Sequence, residues 1–289
     1  MKISKIISGI FFSFVSLFVF GLLILATGEI FIENKTSGVA SVSDSMPVKP
    51  ELELTASAAI SAEVDFENPN KVLFAKGIKK KLPIASLTKL MTAVVVLDNY
   101  NLSDRITINE LFNSVFPFYK GLEVGDTLSV FDFLHMMIIG SCNKSATALS
   151  EKIGEEKFVS LMNQKAKEIG MLDTSFVEPA GLSEKNYSTA EDLVALVKYI
   201  LSDSKYSKII DISRQKEFYL EDVGTFENTN QLLAELPDII GGKTGFTEQA
   251  KGCLILIIYN EKSNDYVIDI ILGSDDRFLE MKKIINYIN

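Results

Sequence analysis

Strand-like segments stand in two pairs at opposite ends of the folded part of the chain, with helix-like segments between them. The first pair, 58–66 and 72–78, is joined by a turn, and the second pair covers 252–259 and 266–272. This order predicts an α+β domain in which the N- and C-terminal strands share an antiparallel sheet and the helices form a subdomain between them. The predicted helices cover 83–99, 130–139, 146–153, 188–201 (opened by a capping box at 188–191) and 277–288.

The start of the chain is apolar. Lys2 and Lys5 precede an uncharged stretch at 6–28, which is long enough for a spanning helix of about 20 residues. The flanking lysines predict that the N-terminus stays in the cytoplasm and the rest is exported. The alternative is a long, cleaved signal peptide, which would leave a secreted protein. We therefore expect a single-pass anchor or signal at 1–28, a polar linker at 29–50 and an extracytoplasmic domain at 51–289.

Charge and metal-binding residues exclude several function classes. A net charge of −9 argues against a nucleic-acid partner. Two cysteines and one histidine cannot supply a Cys-ligated metal site or a pair of histidine ligands, so we expect no metal site of either kind. His135 lies in an apolar helix and is expected to be a core residue rather than part of a catalytic triad. Cys142 and Cys253 could pair, but we expect two free thiols.

A serine and a lysine at the start of the first predicted helix could perform hydrolysis without histidine. Ser86 and Lys89 are separated by three positions, so both side chains lie on one helix face within hydrogen-bonding reach. An apolar run follows Lys89, and burial lowers the pKa of a lysine until the amine can act as a base. Three other Ser-x-x-Lys copies exist, at 141, 202 and 213, but only this one opens an apolar helix.

Two later elements add polar groups. Ser141 and Asn143 stand on a predicted loop between helices, where the hydroxyl could relay a proton and the amide could hold a peptide group. Lys243, Thr244 and Gly245 could offer a cation, a hydroxyl for a carboxylate and close approach to a strand edge. Taken singly, the first element could be an interhelix cap and the second a strand-entry turn. Together with Ser86 and Lys89 they favour a catalytic site.

These elements resemble a known family. The trio of Ser-x-x-Lys, Ser-x-Asn and Lys-Thr-Gly is typical of penicillin-binding proteins and class A β-lactamases. The longer match is similar to the serine D-alanyl-D-alanine carboxypeptidases, the low-molecular-mass penicillin-binding proteins. It extends from about residue 58 to the C-terminus and implies a β-lactamase/transpeptidase-like fold. The matching segments are 83–92, 181–182, 187–190, 228–230, 243–247, and Gly273 followed by Arg277 and Phe278.

The resemblance implies a role for each site residue. Ser86 would attack the bond between two D-alanines of a peptidoglycan stem peptide, with Lys89 as base, and β-lactam antibiotics would acylate the same hydroxyl. The backbone N–H groups of Ser86 and Phe246 would form the oxyanion hole. Ser141 and Lys243 would assist proton transfer to the leaving D-alanine. Asn143 would orient the peptide, and Thr244, with Gly245 beside it, would hold the terminal carboxylate.

Three residues depart from the family pattern and leave alternatives open. Cys142 stands where glycine is usual, Lys144 where an acidic residue is usual, and Lys251 where a small residue is common. The departures leave open a non-catalytic, membrane-tethered cell-wall binding protein on the same fold. A D,D-endopeptidase acting on crosslinks would use the same residues as the carboxypeptidase. A class A β-lactamase is disfavoured because the chain has no Glu-x-x-Leu-Asn motif for the deacylating glutamate.

Overall fold

The computed structural model describes residues 52–109, 122–260 and 265–289. The expected anchor at 1–28 and linker at 29–50 lie outside these ranges. Pro50–Asn289 forms one compact unit. Among the helices of the described ranges, none combines the length and the apolar character needed to cross a membrane.

The strands of the described residues build one main sheet and three small ones. They are β1 (Ala58–Glu63), β2 (Lys71–Lys76), β3 (Leu82–Pro83), β4 (Arg105–Thr107), β5 (Thr127–Ser129), β6 (Tyr187–Ser188), β7 (Glu217–Leu220), β8 (Gly224–Glu227), β9 (Ile239–Thr247), β10 (Lys251–Asn260) and β11 (Asp265–Ser274). The main sheet has the order β2-β1-β11-β10-β9. Its antiparallel β1–β11 pair, with Ile60 opposite Ile270, confirms that the first and last strands share a sheet.

Helices of the described residues fill the middle of the chain and end it. They are α1 (Thr88–Asn99), α2 (Val130–Ile138), α3 (Asn143–Glu151), α4 (Glu155–Glu168), α5 (Ala190–Ser202), α6 (Ser207–Ser213) and α7 (Arg277–Ile288). A 3₁₀ turn, Ala85–Leu87, leads into α1. Nine consecutive residues of α1, from Thr88 to Val96, are buried, so this helix lies inside the domain rather than on its surface.

Alternation along the strands divides the core between the two faces of the main sheet. Ile60 of β1 and Ile255 of β10 belong to the larger apolar cluster, which includes the buried side of the helical subdomain. The intervening Ala59 and Leu254 belong to a smaller cluster, which packs against Met281 of α7. Successive residues of a strand point to opposite faces, and the sheet is therefore covered on both sides.

Several sequence predictions are corrected. Residues 243–245, for which a strand-entry turn was the alternative interpretation, lie within β9, an edge strand paired with β10. The helix expected at 146 begins at Asn143, so Asn143 is helical rather than in the loop. The predicted cap at Ser188 is replaced by Thr189, whose hydroxyl accepts from the Asp192 N–H. Helices α4 and α6 were not predicted.

Candidate active site

Ser86 and Lys89 lie at the junction of the 3₁₀ turn and α1. Lys89 Nζ is 2.8 Å from Ser86 Oγ, as the three-residue spacing predicts. Lys89 is 0% exposed, whereas Ser86 remains half-buried and accessible. Ala85, which precedes the serine, has a φ of 47°, a conformation that non-glycine residues adopt at an energetic cost and that clusters at functional sites. The local backbone thus presents one hydroxyl beside one buried amine.

Lys89 also contacts two carbonyl oxygens from elsewhere in the chain. Its Nζ donates to Asn143 Oδ1 at 2.7 Å and to the Ala180 carbonyl at 2.5 Å. Burial lowers the pKa of Lys89 to about 7, although Glu178 and Cys142 act in the opposite direction. The amine therefore changes protonation state near neutral pH, as a general base requires.

A second lysine and serine face this pair. Lys243 Nζ, on β9, donates to Ser141 Oγ at 2.9 Å and to the Thr244 carbonyl at 3.0 Å. Ser141 has a φ of 56° and follows α2. Burial, with the positive charges of Lys89 and Arg277, holds the pKa of Lys243 well below its usual range. The stable cation expected from the sequence is thus disfavoured in the ligand-free site.

The remaining predicted site residues line the same edge of β9. Thr244 is buried, and its Oγ1 lies 2.5 Å from Thr229 Oγ1. A Cβ added to Gly245 would lie 3.0 Å from the Ser86 nitrogen, so only glycine lets β9 approach the nucleophile this closely. Phe246 follows, with a side chain that is 63% exposed. The structure therefore brings the backbone at 245–246 next to Ser86 and leaves the phenyl ring at the surface.

Sequence reasoning missed a segment that completes the surroundings of Lys89. This segment, the 178–186 loop, supplies the Ala180 carbonyl and is organised by Glu178 and Asn186. A Cβ on Gly181, whose φ is 84°, would lie 1.9 Å from the Ala85 carbonyl oxygen, so the loop packs directly against the nucleophile turn. Gly181 was part of the family resemblance. Glu178 and Asn186 carry no local signal because most of their partners are backbone groups, which every residue has.

His135 and the two cysteines occupy buried positions. His135 is buried in α2, and its Nδ1 lies 2.8 Å from the Phe131 carbonyl. A carbonyl only accepts, so the ring nitrogen donates and the histidine is a satisfied core residue. Cys142 and Cys253 are free thiols, as predicted. The described residues contain no group of three or more His, Cys, Asp or Glu side chains that could hold a metal ion.

Comparison with known proteins agrees with this geometry. Residues 44–276 match the family described as D-alanyl-D-alanine carboxypeptidase. The chain belongs to this family. That assignment confirms the resemblance read from the sequence motifs.

Relatives of the family differ in their named activities. The chain is 32% identical over 252 residues to the D-alanyl-D-alanine carboxypeptidase DacF of Bacillus subtilis, a match that covers 82% of this chain and 63% of that protein. It is 36% identical over 233 residues to a D-alanyl-D-alanine endopeptidase of Pseudomonas aeruginosa, covering 76% of this chain and 74% of that one. The match therefore spans less than two thirds of the Bacillus relative's length.

Solved structures of similar proteins share the fold. Penicillin-binding protein D2 of Listeria monocytogenes in its cefotaxime-bound form superposes with a TM-score of 0.73 at 28% identity, covering 83% of this chain and 99% of that one. Its ampicillin-bound form gives 0.73 at 29% identity, with 82% and 99% covered. The expected β-lactamase/transpeptidase-like α+β fold is confirmed.

The three departures from the carboxypeptidase pattern have defined positions. Cys142 and Lys144 are buried, at 7% and 6% exposure, on either side of Asn143. Lys251 is the first residue of β10 and forms an ion pair with Asp275 at 2.8 Å. That ion pair is exposed to solvent. Neither Cys142 nor Lys144 prevents Asn143 from reaching Lys89.

Proposed function

We propose that this chain is a serine-type D-Ala-D-Ala carboxypeptidase, which removes the terminal D-alanine of peptidoglycan stem peptides through an acyl-enzyme on Ser86. The observation that carries the proposal is the set of partners around Lys89 Nζ: the Ser86 hydroxyl and two carbonyl oxygens. Membership of the D-alanyl-D-alanine carboxypeptidase family supports the substrate.

Counting donors and acceptors explains how Lys89 would activate the serine. A neutral amine has two N–H bonds and one lone pair. The carbonyls of Asn143 and Ala180 can only accept, so they take both N–H bonds. The lone pair is left facing Ser86, whose O–H donates to it. Because burial brings the pKa of Lys89 to about 7, much of the amine is neutral at neutral pH.

The reaction then runs in two halves. Ser86 Oγ bonds to the carbonyl carbon between the D-alanines while its proton passes to Lys89. Ser141 and Lys243, joined by a 2.9 Å hydrogen bond, deliver a proton to the departing amine as the peptide bond breaks. Water then attacks the ester and gives one proton to the Ser141–Lys243 pair. The proton held by Lys89 returns to Ser86 Oγ as the ester bond breaks and the shortened peptide leaves. In this scheme Asn143 orients the peptide and Thr244 holds the terminal carboxylate.

The close approach of Gly245 to Ser86 supports an oxyanion hole. The N–H groups of Ser86 and Phe246 would stabilise the developing negative charge, each by about 3–4 kcal/mol. β-Lactams, which bind the Listeria relative, would acylate Ser86 by the same route. Endopeptidase activity on crosslinked peptides is the second candidate, because the Pseudomonas relative is named for it.

Localisation remains a separate proposal that rests on the apolar stretch at 6–28. We infer that it anchors the protein in the cell membrane with the catalytic domain outside. Extraction of membranes at alkaline pH would leave an anchored protein in the pellet, and release of the full-length chain into the supernatant would contradict the inference.

The direct test is covalent labelling of the purified full-length protein with a fluorescent penicillin. We expect labelling of the wild type, mapped to Ser86 by mass spectrometry, and release of D-alanine from a pentapeptide. Ser86→Ala should lose both. The matched control is Ser202→Ala, because Ser202 and Lys205 repeat the motif at an exposed position. A folded wild type that takes no label and releases no D-alanine would favour the cell-wall binding alternative.

A further inference from the structure

We propose that Glu178 is a positioning residue for the base: its carboxylate folds the 178–186 loop so that the Ala180 carbonyl reaches Lys89, and it places a negative charge near that amine. The proposal rests on the proposed function, in which Lys89 is the base. Glu178 belongs to none of the motifs that identified the site.

The Glu178 carboxylate accepts from the loop that it begins. Four consecutive backbone N–H groups, those of residues 180–183, donate to it at 2.7 to 3.3 Å. The Asn186 amide donates to it as well, at 2.9 Å. A carboxylate with this many donors is occupied in holding the backbone. Oε1 accepts four of these five hydrogen bonds and Oε2 accepts one.

Contacts on both sides of Ala180 attach the loop to the helix that carries Lys89. The Pro179 carbonyl accepts from Thr92 Oγ1 at 2.7 Å, and Asn186 Nδ2 donates to Thr88 Oγ1 at 3.2 Å. Between them, the Ala180 carbonyl accepts from Lys89 at 2.5 Å. Thr88, Lys89 and Thr92 lie on neighbouring positions of α1. The loop and the helix thus fix the amine in place together.

The titratable groups that interact with Lys89 come from three elements. They are Glu178 of the loop, Cys142 of the segment before α3, and Lys243 of β9, which also interacts with Arg277. Desolvation alone would push the pKa of Lys89 lower than about 7, and Glu178 opposes it most strongly. A base is most effective when its pKa lies near the working pH. By opposing desolvation, the Glu178 carboxylate keeps the pKa of Lys89 close to neutral pH.

The test is the pH dependence of acylation by a fluorescent penicillin, measured from about pH 5 to about pH 9 for wild type and Glu178→Gln. Glutamine keeps the size and one acceptor oxygen but removes the charge. The acylation rate falls at low pH, where Lys89 becomes protonated, and this part of the profile is its acidic limb. Without the charge of Glu178 the pKa of Lys89 falls, so the acidic limb should move to lower pH by roughly one unit. A structural role alone would lower the rate without moving the limb.

Two further variants sharpen the result. Glu184→Gln removes the same charge from an exposed position of the same loop and should leave the limb unmoved. Glu178→Asp keeps the charge and loosens the loop, so its limb should stay within about 0.3 unit of the wild type. An unmoved limb in Glu178→Gln, or an equal shift in Glu178→Asp, would overturn the proposal. If the glutamine variant does not fold, Glu178→Asn, which also removes the charge and keeps one acceptor oxygen, takes its place in the same comparison.

Failure of this inference differs from failure of the proposed function. If Lys89 is not the base, the wild type itself shows no acidic limb near pH 7, or no acylation at Ser86. If only the role of Glu178 is wrong, the wild type shows that limb and the Glu178 variants leave it in place.

Discussion

Lys89 and Lys243 are two versions of one arrangement. Each is buried, at 0% and 2% exposure, and each Nζ lies within hydrogen-bonding distance of a serine hydroxyl, at 2.8 Å for Lys89 and 2.9 Å for Lys243. Burial of an ammonium away from water lowers the pKa of both. They differ in the charges around them, because Lys89 faces the Glu178 carboxylate whereas Lys243 faces the cations Lys89 and Arg277.

The difference indicates how one site can hold two lysines with two tasks. The anion near Lys89 belongs to the protein and is present before any substrate binds. Lys243 has cationic neighbours, and a substrate carboxylate at Thr244 would supply the missing anion. We therefore expect Lys89 to be prepared before binding and Lys243 to become protonated as the substrate arrives.

The largest expected effect is the difference in acylation rate between variants that lack one or the other lysine. Lys89→Met removes the base and should lower the rate of acylation by penicillin about a thousandfold or more. Lys243→Met removes a group that assists later proton transfer and ligand binding, and should lower the same rate about a hundredfold. Stopped-flow labelling measures both rates, and thermal unfolding checks that both variants fold. Equal losses, or a larger loss in the Lys243 variant, would break the comparison.

A second effect concerns stability rather than rate. In the folded protein the pKa of Lys89 is about 7, against a usual value of 10.5 in the unfolded chain. Between these pH values the unfolded chain holds a proton that the folded protein has released, so rising pH favours folding. The free energy of unfolding of the wild type, relative to Lys89→Met, should rise by about 1.4 kcal/mol per pH unit in this window.

Urea unfolding of both proteins at several pH values measures this difference. Taking the difference removes the contributions of titrating groups that do not interact with Lys89, such as Cys253, whose pKa is raised by burial. Lys243 does interact with Lys89, so the same measurement on Lys243→Met gives the contribution of that second lysine. Below pH 7 both states hold the proton, and the difference should become flat. A difference that is constant throughout would mean that the Lys89 amine remains protonated in the folded protein.

Local patterns in the sequence predicted the parts of the site that are close in sequence. Ser86 and Lys89 are one helical turn apart, so their contact follows from helix geometry alone. The strand pairs at the chain ends were likewise visible as apolar runs bounded by turns. The full burial of α1 was not predicted, because an apolar face in the sequence does not tell how many neighbours cover the other faces.

Contacts between distant segments explain what the sequence did not reveal. Strand β9 contains consecutive glycines, which have low strand propensity, yet Gly245 is required where β9 passes the Ser86 backbone. Glu178 binds backbone N–H groups, which every residue has, so no residue pattern marks its role. The electrostatic state of Lys243 depends on Lys89 and Arg277, which only the fold brings near it.

The smallest expected effect concerns Thr229, which contacts the hydroxyl expected to bind the substrate carboxylate next to Lys243. Thr229 Oγ1 contacts Thr244 Oγ1 at 2.5 Å and so fixes the hydroxyl that would meet the substrate carboxylate. Thr229→Val keeps the shape and removes this partner, and should lower kcat/KM for a D-Ala-D-Ala peptide about fivefold, the loss expected for about 1 kcal/mol. Thr229→Ser keeps a hydroxyl and is the matched control.

The acidic limb set by Lys89 should stay unchanged in both variants, because Thr229 carries no charge. If Thr229→Val moved that limb, the pKa of Lys89 would depend on contacts on the Lys243 side of the site. The assignment of Lys89 as the base, set independently of Lys243, would then be wrong.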